Sequence, residues 1–192
     1  SLLGAFLLML SLGINWLVAV AGAIAVTFCS YNFQIIQVGH NTKMMAIAWL
    51  HWVLAAMTFT YSKALNLYKS DTCDNPGRRS WLPLTVLGAA LFGMTVNFQI
   101  KADHIQISYY LAIIIFCYVI GLFIWLMIDG VRRKATGRFF AASFLLLFLG
   151  LAGIGTNANK LIPTYLYSQH TMRGGSELAA GNQDDGQKKS KG

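Results

Sequence analysis

Five stretches of mainly apolar residues constrain this chain more than any other feature of its sequence. They run from Leu3 to Thr27, Met44 to Leu65, Trp81 to Phe98, Ser108 to Ile128 and Phe139 to Thr156. A helix needs roughly 20 such residues to cross the ~30 Å hydrocarbon core of a bilayer. Only helices and closed barrels satisfy every backbone polar group in lipid, and these runs are continuous rather than alternating, so helices are expected. The sequence therefore predicts an all-α, polytopic integral membrane protein with about five transmembrane helices over residues 1–168. The first run is longer than the apolar core of a signal peptide and has no basic residues ahead of it, so it reads as a retained span.

Composition supports this reading. Charged residues make up only 11% of the 192 residues, against 56% hydrophobic. Soluble domains carry about 25% charged residues, and one this poor in charge would expose large apolar patches. From about Met172 the chain turns to Gly, Asn, Gln, Asp and Lys. The segment 169–192 is therefore predicted to be a polar, disordered tail.

The net charge of +8 is placed at the ends of the apolar runs and in the tail. That suits membrane orientation and anionic headgroups, not nucleic acid. Lys63, Lys69, Arg78 and Arg79 fall between the second and third runs, and Arg132, Arg133, Lys134 and Arg138 between the fourth and fifth. The opposite side holds Lys43, Lys101, Lys160 and Arg173. This bias places the two basic loops inside, together with the N-terminus, and the tail outside. Small residues four apart, Ala19 with Ala23, Ala21 with Ala25 and Ala89 with Gly93, predict close helix contacts, as do Gly150, Gly153 and Gly155.

Asn32-Phe33-Gln34-Ile35 recurs as Asn97-Phe98-Gln99-Ile100, with His40 and His104 following. Both copies close an odd-numbered run, which suggests a duplicated helical hairpin in parallel orientation.

Polarity collects at the predicted outer ends of the helices. Intramembrane polar groups tend to face a cavity, a partner or each other. In this layer His40, Asp103 and His104 are the candidate catalytic residues for acid–base or metal chemistry. Asn97, Gln99 and Asn157 are candidates for orienting a ligand. His51, two turns inside the second helix, is a candidate cofactor-binding residue for a haem or pigment, with a hydrogen-bonded interfacial histidine as the plainer reading. The eleven residues between His40 and His51 correspond to ~16 Å along a helix, too far to share one metal.

Several chemistries are excluded. No Glu precedes Glu177, so a di-iron bundle site or a membrane-embedded carboxylate relay has no ligands. No CxxC is formed by Cys29, Cys73 and Cys117, and there is no HExxH, GxSxG, phosphate loop or dinucleotide fingerprint. No Lys is placed mid-helix to hold retinal. The first expectation for function is a non-catalytic structural or accessory subunit of a larger membrane assembly, with membrane lipids and other subunits or copies of itself as partners. A small membrane enzyme or lipophilic-ligand binder with its site in the outer layer is the second, and a channel or facilitator the third.

Overall fold

The computed structural model describes residues 1–67, 81–128 and 135–168, and is all-helical over them. Cys73, the inter-helix basic residues at 69, 78, 79 and 132–134, and the predicted tail lie outside the described residues. Eight helices follow in chain order: α1 Leu2–Ser11, α2 Trp16–Thr27, α3 Ser30–Gln37, α4 Asn41–Leu65, α5 Trp81–Lys101, α6 Ile105–Ile128, α7 Thr136–Gly155 and α8 Ala158–Ser168. The chain forms two units, Ser1–Gly155 and Thr156–Gly192.

Five segments are long and apolar enough to cross a membrane: Trp16–Gln37, Asn41–Leu65, Trp81–Lys101, Ile105–Ile128 and Thr136–Gly155. The last four match expectation. The first does not, because Leu3–Thr27 is not one helix. Gly13, at φ +79°, takes a conformation that glycine adopts without a Cβ clash. Asn15 then caps α2 by accepting from the Leu17 N–H at 3.0 Å. The chain folds back, so that Gly22 lies against Met9 and Ser1 Oγ donates to Thr27 Oγ1 at 3.3 Å. A single helix would hold Ser1 and Thr27 ~39 Å apart. The first run is thus a helical hairpin and not a single span.

After a break at Phe28–Cys29, α3 carries the chain on towards α4. Asn32, buried in α3, spans the break by donating to the carbonyls of Val26 and Thr27, both at 3.0 Å. Its echo, Asn97, sits inside the unbroken α5. Both copies of the tetrapeptide are helical, the first near the start of α3 and the second near the end of α5.

α4 is the central helix and packs against α1, α5, α6 and α7. α1 runs parallel to it, with Gly4 against His51 and Trp52 and Ser11 Oγ bonded to Thr58 Oγ1. α5 runs antiparallel, with Trp49 stacked on Phe98 at 4.5 Å and Gly88 against Thr60. α7 runs parallel to α5, and Gly93 and Gly153 let their backbones touch. Buried threonine hydroxyls turn back onto their own helices: Thr60 to Ala56 O and Thr85 to Trp81 O, each at 2.7 Å. These two hydroxyls are thereby satisfied within their own helices. α4 ends on Asn66 in the left-handed conformation, φ +49°, as helix C-termini commonly do.

The core is one cluster around Val53, Met57, Tyr61, Phe92, Leu126, Phe139 and Leu146. The Arg138 guanidinium lies over Trp81, and Tyr61, Phe123 and Phe139 meet nearby. Hence the C-terminal ends of α4 and α6 and the N-terminal ends of α5 and α7 share one end of the body. α6 is the outlier: it buries only Leu111 and Leu126. In the second unit, α8 carries Pro163 in its interior.

Candidate functional site

Two spaces open within the first unit. The larger, about 810 Å³, lies where the short α1 stops and leaves α4 and α5 uncovered. Leu7, Leu10, Phe59, Leu87 and Leu91 line it, with Lys63 and Asn66 at its polar end. The smaller, about 540 Å³, lies between α6 and the surface made by α4, α5 and α7. Its walls are apolar: Val53, Met57, Phe92, Leu111, Ile115, Leu146 and Leu151 among others.

Two pairs of polar groups reach the smaller cavity. At one end Tyr61 Oη and Ser143 Oγ bond to each other at 2.9 Å. At the other, Gln99 is 2% exposed. Its Nε2 donates to Ser108 Oγ at 3.4 Å, and Ser108 Oγ in turn donates to His104 O at 3.4 Å. The Gln99 carbonyl oxygen, Oε1, is sealed from solvent with no hydrogen-bond partner.

Of the three ligand-orienting candidates, Asn97 and Gln99 belong to the first unit and do not share a setting. Gln99 lines the cavity; the Asn97 backbone lies at the crossing of α5 and α7, against Gly153. Asn157 belongs to the second unit, where its backbone carbonyl accepts from the N–H groups of Lys160 and Leu161 at 3.0 Å each.

The catalytic candidates do not form a metal centre: no group of three His, Cys, Asp or Glu able to hold a metal ion exists among the described residues. His40 is exposed at the start of α4, and Asp103 is exposed in the left-handed turn between α5 and α6, φ +59°. His104 is partly buried, with Nδ1 enclosed and unpartnered. His51 packs under Gly4, and its Nδ1 lies 2.8 Å from Ile47 O in its own helix. A protonated Nδ1 donating there leaves the Nε2 lone pair, the arrangement common to ligating histidines. Neither cavity is lined by His51.

The sequence reading passed over Tyr61, Ser143 and Ser108. The signal available was a hydroxyl inside an otherwise apolar run. No protein-family model, curated protein or solved structure matches the chain.

Proposed function

We propose that this is an integral membrane protein crossing the bilayer five times, acting as a non-catalytic structural or accessory subunit of a larger membrane assembly. The observation that carries this reading is the outward face of α6. Ile113, Cys117, Gly121 and Ile124 are all exposed on it, and a Cβ added at Gly121 would meet nothing within 4 Å. Water would not tolerate such a face. In lipid, small residues four apart flanked by branched ones let a second helix approach closely. Of the other small-residue faces, Ala19, Ala23 and Ala89 are buried and Gly93 and Gly153 join α5 to α7, while Ala21 and Ala25 on α2 remain exposed.

The test is Gly121→Leu, read by native mass spectrometry after mild detergent extraction from the source membrane. A Cβ at Gly121 meets nothing within 4 Å among the described residues and the position is exposed, so the helical body is expected to keep its thermal stability. Co-extracted partner chain, or self-association, falls about tenfold, a change of about 1.4 kcal/mol. A wild-type chain that extracts alone and monomeric would sink the subunit reading. A partner retained in full by the variant would move the interface off α6.

A further inference from the structure

We propose that the groove between α1, α4 and α5 holds an anionic phospholipid, with one acyl chain lying along α4 and α5 and the headgroup phosphate meeting the Lys63 ammonium. No residue of α6 lines this groove, so the site stands apart from the subunit role.

The groove exists because α1 is short. Ser11, its last residue, bonds to Thr58, while α4 runs on to Leu65. The last ~10 Å of α4 thus continues past the end of α1. It lies beside the first turns of α5, where Gly88 faces Thr60. The walls are apolar, with Phe59, Leu84, Leu87 and Leu91 among them, but the end is not. Lys63 lines it, half-buried, with its ammonium 5.4 Å from the centre of the Phe59 ring. A lysine near the end of a spanning helix ordinarily reaches outward to water. This one turns back over a ring that is itself a wall of the groove, a cation–π contact that holds the charge at the groove. Trp81 lines the same end, with the Arg138 guanidinium over its ring.

Charge selects the occupant. Among the described residues the only carboxylate is Asp103, which lies beyond the far end of α5, a helix ~30 Å long. Lys63 therefore has no anion from those residues, and at the edge of a low-dielectric layer an opposite charge is worth far more than in water. A neutral acyl chain would cover the walls and leave the ammonium unpaired. A phospholipid with a net negative headgroup meets both needs, whereas a zwitterionic one brings a cation of its own. Length agrees. The lining residues run from Trp52 to Asn66 on α4 and from Trp81 to Thr95 on α5, ~21 Å of each helix. One leaflet contributes ~15 Å of the ~30 Å hydrocarbon core, so a chain of that reach fits with its headgroup at Lys63. The bias of Lys and Arg along the sequence assigns this end to the inner side, whose leaflet is the richer in anionic lipid.

The experiment uses the full chain in nanodiscs doped with phosphatidylglycerol or phosphatidylcholine, each carrying the same diazirine acyl chain. The expected result is labelling of the groove stretches of α4 and α5, about tenfold stronger with phosphatidylglycerol. Lys63→Gln removes that preference and Lys63→Arg keeps it. Lys101→Gln is the control. Lys101 lies 5.7 Å from the Phe98 ring in the same kind of contact, at the other end of α5, and lines neither cavity. Its loss leaves the labelling unchanged. Leu87→Trp, at a lining position 51% exposed, fills the groove without entering the core. It lowers labelling by both lipids about tenfold and stands in if Lys63→Gln misfolds. Equal labelling by the two lipids points to ordinary surrounding lipid and overturns the proposal. So does a preference that Lys63→Gln leaves intact or that Lys101→Gln also removes. Absence of labelling in the groove overturns it too, as a protein segment seated there would produce.

Discussion

Gly153→Ala should loosen the helical body by about 3 kcal/mol, at or beyond the upper end of what overpacking a core usually costs. A methyl group there runs into the carbonyl oxygen of Gly93 on α5, and Gly93→Ala places a methyl 2.5 Å from Leu149 O on α7. Both obstacles are backbone, so no rotamer change relieves them, and the helices must separate along their contact. Alanine is the better helix former by up to ~1 kcal/mol, which works in the opposite direction and is the smaller effect. Gly121→Ala and Gly155→Ala are the controls, because an added Cβ meets nothing within 4 Å at either. They should melt no lower than wild type, and up to ~1 kcal/mol more stable where the propensity gain is realised. Thermal unfolding in detergent, followed by size-exclusion chromatography, reads all four. Gly153→Ala melting with the controls would mean that α5 and α7 do not touch at these glycines.

That contact was legible in the sequence, because Gly93, Gly150 and Gly153 stand out as small residues in bulky runs. The four later long helices were legible for a related reason: length and apolarity alone define a segment able to span lipid. The N-terminal hairpin was not. Its turn signals, Gly13 and the capping Asn15, are ordinary ones. They sit within a run whose flanks are apolar all round, however, and such a run shows no change of hydrophobic period to mark where one helix stops. The fold-back is decided by tertiary contacts, with Gly4 and Ser11 of α1 docked on α4.

The candidate site divides in the same way. Gln99 could be singled out from sequence, since an amide near a helix end within lipid reach needs a partner. Its separation from Asn97 follows from helical geometry: the two residues are two apart, about 200° around α5, so they face different neighbours. Nothing local foretells that α6 stands off far enough to leave a cavity, or that Ser108 at its start reaches Gln99. Those facts depend on which faces α4, α5 and α7 present after they have packed.

Tyr61→Ala should be the costliest side-chain truncation in the first unit, at about 3–5 kcal/mol, the range for removing a large buried ring. Tyr61 is 1% exposed. Its ring lies 5.5 Å from that of Phe139 on α7 and 6.3 Å from that of Tyr118 on α6. A helix docked in lipid gains little from the hydrophobic effect, so contacts of this kind supply its attachment. α6, with two buried residues of its own, depends on them more than its neighbours do. The hydroxyl matters less. Tyr61→Phe leaves Ser143 without its partner, and hydrogen bonds between membrane helices average about 0.6 kcal/mol. Unfolding in graded denaturing detergent, followed by far-UV circular dichroism and size-exclusion chromatography, separates the two effects. The expected order is Tyr61→Ala far below Tyr61→Phe, with Ser143→Ala beside the latter. If Tyr61→Phe proved as damaging as Tyr61→Ala, the Tyr61–Ser143 bond would be what holds α7 to α4, and the ring stack would be incidental.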